Sequence, residues 1–241
     1  MKNKNLIYGG LLAGGTGSRM ETATIPKQFI RVAGIPIFIR TLQKLLDIEE
    51  INKVIVSINV DWAQKYDELL SEFGISKERV VLIPGGDTRF KSLVNVAKKA
   101  HELAHENKAM VISHDCARIF ITRRIITENI TALSHYDMVT TSVPTIDTML
   151  ESDDGKSSSV VPDRTKLWCD QGPQTFWADE FLKLVSMIPV PDIPSYIEAG
   201  KVYLSHGKKI GIVKGERFNF KITNDIDLKY AEFLLKEGYV E

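Results

Sequence analysis

The sequence has little cysteine and no excess of charge of either sign. Its 241 residues include two cysteines, Cys116 and Cys169, and neither belongs to a Cys-x-x-Cys pair or to a Cys/His cluster with metal-ligand spacing. This scarcity excludes a disulfide framework and favours a reducing, cytoplasmic compartment, with both thiols expected to be partly buried and inert. Lys and Arg together number 31, as do Asp and Glu, so the formal net charge is zero. That balance argues against a protein that binds nucleic acid or anionic membranes with its whole surface.

The sequence also lacks long apolar runs, internal repeats and low-complexity linkers. No apolar stretch approaches the roughly 18 residues that a membrane helix needs. The first residues reach glycine too soon to form the hydrophobic region of a signal peptide. Hydrophobic residues account for 44% of the chain and charged residues for 26%, which is the balance of a globular protein with a sizeable core. We therefore expect one domain that spans residues 1–241.

What the sequence does contain is a regular alternation of short β-branched runs with amphipathic stretches. The predicted strands in this part of the chain are 5–13, 53–59, 79–85, 109–115 and 138–144. The predicted helices lie near 36–47, 61–73, 89–105 and 122–134. Such alternation is typical of a Rossmann-like α/β fold, in which a mostly parallel sheet is flanked by helices on both faces.

The alternation breaks after residue 144. Residues 145–165 place the polar turn ESDDGKSSS between two short runs, TIDTMLE and SVVPDR, and this pattern predicts a β-hairpin arm. Arms of this kind often reach a partner subunit. The three prolines of MIPVPDIPSY then exclude a regular helix. The last predicted elements are a helix near 195–206, strands at 209–215 and 218–223, and a helix from about 225 that Asn224 or Asp225 would cap.

A glycine-rich loop, LLAGGTGSRM at residues 11–20, directly follows the first strand. It is a poor dinucleotide fingerprint, because Met20 occupies the third glycine position, and it is not a P-loop, because no Gly-Lys-Ser/Thr is present. Consecutive small residues after a strand expose backbone N–H groups that bind anions, and Arg19 and Lys27 add cations to the same segment. The loop is therefore either a triphosphate site or a tight turn with two solvated cations.

Six segments resemble, in order, the cytidylyltransferase family that includes the enzymes for 2-C-methyl-D-erythritol 4-phosphate and ribitol 5-phosphate. They are LLAGGTGSRM with IPKQF, GGDTRFKSL at 85–93, SHDCARIF at 113–120, DTM at 147–149, DRTKLWCDQGPQTF at 163–176 and FNFKIT at 218–223. The resemblance runs through the whole chain. It implies a nucleotidyltransferase enzyme and a homodimer in which the 145–165 arm mediates dimerisation.

The resemblance also implies a reaction, the Mg²⁺-dependent transfer of a cytidylyl group from CTP to a small polyol phosphate with release of pyrophosphate. The implied catalytic residues are Arg19, Lys27 and Lys221, which would neutralise the phosphates. Asp115 would bind the Mg²⁺ that bridges the phosphates. The implied nucleotide-binding residues are Ala13, Gly14, Gly15, Gly17, Gly85, Gly86, Asp87, Arg89, Ser92 and Asp115. The implied acceptor-binding residues, Thr148 and Arg164, belong to the arm.

Several positions depart from the family pattern. Gly172 replaces the threonine of a Thr-Pro-Gln element, and Ile119 replaces a proline. The segment PSYIEAGKV lacks the acidic pair of the methylerythritol branch and, like the LAGG opening, is closer to the ribitol branch. We therefore expect D-ribitol 5-phosphate as acceptor and CDP-ribitol as product. The alternatives are 2-C-methyl-D-erythritol 4-phosphate, as in isoprenoid biosynthesis, and a catalytically silent nucleotide-binding scaffold.

Two further residues near the implied site, His114 and Arg118, are expected to have structural roles. We expect His114 to be structural, because a reaction between two phosphates needs no strong base. We expect Arg118 to anchor the site through an ion pair and to take no part in the chemistry.

Overall fold

The computed structural model describes residues 5–15 and 25–240, and a central β-sheet organises this part of the chain. The strands are β1 (Asn5–Leu12), β2 (Arg31–Val32), β3 (Ile35–Pro36), β4 (Ile51–Ile58), β5 (Val80–Pro84), β6 (Lys108–Asp115), β7 (Met138–Pro144), β8 (Trp168–Trp177) and β9 (Ile210–Lys214). The helices are α1 (Ile37–Leu46), α2 (Ala63–Glu72), α3 (Arg89–Ala104), α4 (Arg123–Ala132), α5 (Ala178–Ser186), α6 (Ala199–Ser205) and α7 (Asp225–Lys236). Short 3₁₀ helices lie at Lys27–Phe29, Val60–Trp62, Arg164–Lys166 and Val190–Ser195.

The sheet contains seven of these strands in the order β5-β4-β1-β6-β8-β7-β9, and β2 pairs only with β3. Its pairings are parallel except those of β8, which is antiparallel to both β6 and β7. The chain steps outward from β1 to β4 and β5, then returns to β6 on the other side of β1. The strand order therefore reverses between β1 and β6, the position at which open α/β sheets bind ligands beyond the carboxyl ends of their strands.

Apolar residues cover both faces of the sheet. Helices α1, α2, α4 and α7 pack on one face, and α3, α5 and α6 pack on the other. The glycines of β1 allow a helix to approach closely, because a Cβ on Gly10 would lie only 2.7 Å from Cγ1 of Val96 in α3. The predicted α/β architecture, with a mostly parallel sheet between helices, is confirmed.

Side-chain caps begin α3 and α7. Thr88 Oγ1 accepts a hydrogen bond from the Lys91 amide at the start of α3. Asn224 forms a capping box with Asp227 at the start of α7, which confirms the prediction of a cap at residue 224 or 225. Both caps fix the start of a helix whose preceding loop contributes residues to the candidate site.

Several predicted elements differ from the structure. Residues 218–223 form no strand, because the segment leaves the sheet edge at β9 and crosses to the end of β6, where the Ile222 amide donates to the Ala117 carbonyl. The 145–165 arm doubles back as predicted, but a single antiparallel bridge between Glu151 and Val160 replaces the expected ladder. The helix expected at 195–206 is shorter, since Tyr196 and Glu198 have extended backbone and α6 begins only at Ala199.

The sequence also left one strand of the seven-stranded sheet unassigned. β8 contains Gly172 and Pro173, residue types that weaken a strand pattern, although this strand joins the two halves of the sheet. Across the part of the chain that the structure describes, none of the helices is both long and apolar enough to cross a bilayer.

Candidate active site

A cavity of about 400 Å³ opens at the carboxyl ends of β1 and β6. The predicted site residues that line it are Ala13, Gly14, Gly15, Lys27, Gly86, Asp87, Arg89, Ser92, Asp115 and Lys221. Gly17 and Arg19 lie outside the described residues, and Gly85 directly precedes the lining residue Gly86. The fold therefore brings together the loop after β1, the turn before α3, the end of β6 and the segment before α7.

The turn at residues 85–86 is held by hydrogen bonds on both sides. The Gly85 amide donates to the Ile58 carbonyl at 2.7 Å, and the Gly86 amide donates to Ser92 Oγ at 3.0 Å. A Cβ on Gly86 would lie 2.3 Å from the Lys91 Cβ and 2.9 Å from its carbonyl carbon. Glycine is therefore required here, and the Ser92 hydroxyl supports the turn.

Asp115 forms ion pairs with two cations that line the cavity. Its Oδ1 accepts from Arg89 Nε at 2.9 Å and its Oδ2 accepts from Lys221 Nζ at 2.7 Å. Burial alone would raise the pKa of Asp115, but the Arg89 and Lys221 cations outweigh burial and hold the pKa well below its ordinary value. Asp115 is thus ionised at any physiological pH, and it orients two cations that are themselves about one-third exposed to solvent.

Lys27 connects the segment after the glycine loop to the segment before α7. Pro26 precedes the short helix that carries Lys27, and Lys27 Nζ donates to the Ile222 carbonyl at 2.8 Å. Ile222 directly follows Lys221, so this bond places the two predicted catalytic lysines on one wall of the cavity. The structure therefore unites cations that are 194 residues apart in the sequence.

The residues around the end of β6 are buried and have structural contacts. His114 Nε2 lies 3.0 Å from the Arg118 carbonyl, and burial lowers the pKa of His114 to about 4, so the imidazole is neutral at neutral pH. The expected ion pair of Arg118 is wrong for the described part of the chain: Nη1 donates instead to the Asn219 carbonyl at 2.8 Å. Cys116 is buried, whereas Cys169 is exposed, contrary to expectation.

The two acceptor residues implied by the sequence do not line this cavity as the described residues define it. Thr148 and Arg164 are exposed on the arm, and Arg164 Nη1 donates to the Ile146 carbonyl at 2.8 Å within the arm. The arm also exposes large apolar side chains, among them Leu150 (62%) and Val161 (63%). In the described part of one chain, Thr148 and Arg164 therefore do not share a cavity with Asp115.

Comparison with known proteins identifies the family to which the chain belongs. The family model for IspD, 2-C-methyl-D-erythritol 4-phosphate cytidylyltransferase, matches residues 10–237. The chain belongs to this cytidylyltransferase family. The ribitol-5-phosphate cytidylyltransferases of Streptococcus pneumoniae strains CGSP14 and ATCC 700669 are each 34% identical to it over 236 residues, covering 96% of this chain and 100% of the relative. The predicted enzyme class, a nucleotidyltransferase, is confirmed.

Solved structures of the cytidylyltransferase family share the fold. The 4-diphosphocytidyl-2C-methyl-D-erythritol synthase of Anaerococcus prevotii superposes with a TM-score of 0.79 at 23% identity, covering 96% of both chains. The 2-C-methyl-D-erythritol 4-phosphate cytidylyltransferase of Francisella tularensis gives 0.78 at 23% identity, covering 95% of this chain and 99% of that one. At these identities the likeness concerns the architecture alone.

The departure from the cytidylyltransferase pattern at Gly172 has a backbone explanation. Gly172 has a φ of +64°, in the left-handed region that glycine adopts freely and that a β-branched residue adopts only with strain. A Cβ at this position would meet its nearest neighbour, His114 Nδ1, at an ordinary 3.8 Å. Backbone conformation, and not lack of space, therefore favours glycine over threonine here.

Sequence reasoning missed a polar cluster beside the cavity. Gln174 in β8 contacts both Asp170, on the same strand, and Glu198, the residue before α6. Burial, together with the neighbouring Asp170 carboxylate, raises the pKa of Glu198 to about 7. Gln174 belongs to the segment that resembles the Thr-Pro-Gln element of the family, but only the tertiary structure shows its hydrogen-bond partners.

Proposed function

We propose that this protein transfers a cytidylyl group from CTP to D-ribitol 5-phosphate, giving CDP-ribitol and pyrophosphate. The observation that carries the proposal is the Asp115 carboxylate, with Arg89 and Lys221 on its two oxygens, facing two glycine turns at the strand-order reversal. Cations and exposed backbone amides suit a nucleoside triphosphate. The choice of acceptor rests on the full-length similarity to ribitol-5-phosphate cytidylyltransferases.

The reaction needs positioning and charge stabilisation more than acid–base chemistry. An oxygen of the acceptor phosphate attacks the α-phosphorus of CTP, a new P–O bond forms, and the bond to the bridging oxygen breaks. Pyrophosphate leaves with the electron pair of that bond. In this scheme Lys221 stabilises the α-phosphate, while Lys27 and Arg19 stabilise the charge that develops on the leaving group. No covalent enzyme intermediate is required, in agreement with a neutral, buried His114.

The donor set at Asp115 fits a magnesium ion that takes most of its ligands from the substrate. Each carboxylate oxygen accepts one hydrogen bond in the structure and keeps a second lone pair. Magnesium in nucleotide sites commonly binds one or two carboxylates together with phosphate oxygens and waters. Asp115 would be the protein ligand, and the ion would supply further neutralisation of the triphosphate.

The turn at residues 85–86 is the proposed cytosine site. Its backbone is fixed by Ile58 and Ser92, and we expect its small residues to admit a pyrimidine and to exclude a purine. Backbone groups held in this way discriminate strongly, because a wrong base leaves them buried and unpaired. Asp87 extends the turn at its solvent side, where it pairs with Lys91.

The acceptor end of the site is proposed to include a second copy of this chain. Thr148 and Arg164 are exposed on an arm whose apolar residues lack cover within the described chain. Burying such side chains is favourable by about 25 cal/mol per Å² of apolar surface. A homodimer in which each arm lies against the partner would cover them and would bring Thr148 and Arg164 to the neighbouring cavity.

Pyrophosphate release tests the proposal. The purified protein is incubated with Mg²⁺, with CTP or UTP, and with either ribitol 5-phosphate or 2-C-methylerythritol 4-phosphate. We expect release with CTP and ribitol 5-phosphate. Pyrophosphate release with methylerythritol 4-phosphate alone would show that this compound, and not ribitol 5-phosphate, is the acceptor. No pyrophosphate release with either acceptor would refute an active cytidylyltransferase.

A matched pair of variants tests the role of Lys27. Lys27→Ala should lower turnover about 100-fold, since a removed charge donor commonly costs about 3 kcal/mol of transition-state stabilisation. Lys77→Ala, which removes an exposed lysine paired with Asp67, is the control and should retain turnover. Equal turnover in the two variants would show that Lys27 does not act on the phosphates.

A further inference from the structure

Gln174 joins three groups that belong to different elements around the cavity. Its Nε2 donates to Asp170 Oδ2 at 2.8 Å and to Glu198 Oε2 at 2.9 Å. Its Oε1 accepts from the Ala199 amide at 3.0 Å. The Gln174 side chain is 97% buried, and all of its hydrogen-bonding groups have partners, so its orientation is fully determined.

The segment that Gln174 holds is also the segment that holds Arg89. Ile197 directly precedes Glu198, and its carbonyl accepts from Arg89 Nη1 at 3.0 Å. The Nε of the same guanidinium donates to Asp115 Oδ1 at 2.9 Å. Because a guanidinium is planar, fixing one nitrogen on Ile197 sets the direction in which the other nitrogens point.

These contacts form one continuous path from β8 to the active-site carboxylate. We propose that Gln174 is a positioning residue for Arg89: its carboxamide fixes the segment at 197–199, so that the Ile197 carbonyl holds the Arg89 guanidinium against Asp115. Gln174 itself does not line the cavity as the described residues define it. Its influence on the nucleotide therefore passes through Arg89. This inference rests on the proposed function, in which Arg89 contacts the nucleotide.

The path is anchored at its far end as well. Asp170 Oδ1 accepts from Thr140 Oγ1 in β7 at 2.5 Å, so Asp170 is held from both sides. Without the Gln174 amide, Asp170 and Glu198 would lose the donor that links them. The 197–199 segment would then lose its hydrogen bonds to β8, and the Ile197 carbonyl would no longer be held toward Arg89.

Steady-state kinetics of Gln174→Met tests the proposal. Methionine preserves length and apolar volume but removes all three hydrogen bonds. We expect kcat/KM for CTP to fall about 10- to 100-fold, mainly through KM, because a displacement of about 1 Å at a positioning contact has effects of this size. The KM for the acceptor should change little. Gln171→Met removes a buried glutamine on the same strand whose Nε2 contacts Glu216, and it should leave the KM for CTP unchanged.

A double-mutant cycle separates positioning from a general loss of structure. In an Arg89→Ala background, Gln174→Met should change kcat/KM for CTP by less than about twofold, because the group that it positions is gone. Additive effects of the two substitutions would overturn the proposal, as would a Gln174→Met variant with unchanged KM for CTP. An inactive wild-type protein would instead refute the proposed function, so the two failures are distinguishable.

Discussion

The ion triad of Asp115, Arg89 and Lys221 makes a quantitative prediction about stability. Asp115→Asn keeps the shape of the side chain but leaves two cations without their counter-charge. Breaking a fully buried pair costs about 3–5 kcal/mol, whereas an exposed pair contributes at most about 1 kcal/mol. The Asp115 side chain is 14% exposed, and its partners are 32% and 31% exposed, which places the triad between these limits.

We therefore expect Asp115→Asn to lower the free energy of unfolding by about 2–3 kcal/mol at neutral pH. For a domain of this size each kcal/mol corresponds to about 2–4 °C, so Tm should fall by about 4–12 °C. The low pKa of Asp115 sets the pH window. Its contribution is complete above 3.8, the ordinary pKa of aspartate, and is lost as the pH falls toward the lower folded-state pKa.

Thermal unfolding with and without pyrophosphate, in the absence of metal, is the assay. Pyrophosphate should raise the Tm of Asp115→Asn more than that of the wild type, because the ligand replaces the missing counter-charge and meets no competing carboxylate. Glu128→Gln, which removes an exposed carboxylate paired with Arg124, is the control and should change Tm little. Equal Tm values and equal pyrophosphate shifts for Asp115→Asn and the wild type would refute the reasoning.

Two further predictions concern β8 and Glu198, which Gln174 of β8 contacts. Glu198→Gln should raise the free energy of unfolding by about 1–2 kcal/mol at pH 8 and have little effect at pH 5. The reason is that the raised pKa of Glu198 gives stability that is present below pH 4.5 and is lost as the pH rises through about 7. Urea titrations in which Glu198→Gln changes the free energy of unfolding equally at both pH values would contradict this. Gly172→Thr should lower the free energy of unfolding by about 1–3 kcal/mol, because residue 172 has a positive φ, and Gly172→Asn should lower it less. A threonine variant as stable as the wild type in the same titrations would exclude backbone strain.

Much of the fold follows from local patterns in the sequence. The strands β1, β4, β5, β6 and β7 and the helices between them were predicted from residue type and periodicity, because each pattern is complete within one element. The strand predicted at 218–223 was wrong and β8 was not predicted, since the conformation of both segments depends on the elements that lie beside them. The run of β-forming residues at 218–223 has no neighbouring strand to pair with. In contrast β8, despite its glycine and proline, pairs with both β6 and β7.

The sequence by itself determined the alternating α/β framework, the glycine turns and the position of Asp115 at the end of a predicted strand, and its motifs pointed to Lys27 and Lys221. These features depend on neighbours a few residues away. Only the tertiary structure decided that Lys221 meets Asp115 across 106 residues, and that Gln174, Ile197 and Arg89 form one path. Such contacts arise from the order of strands in the sheet, and no local propensity encodes which distant side chains that order brings together.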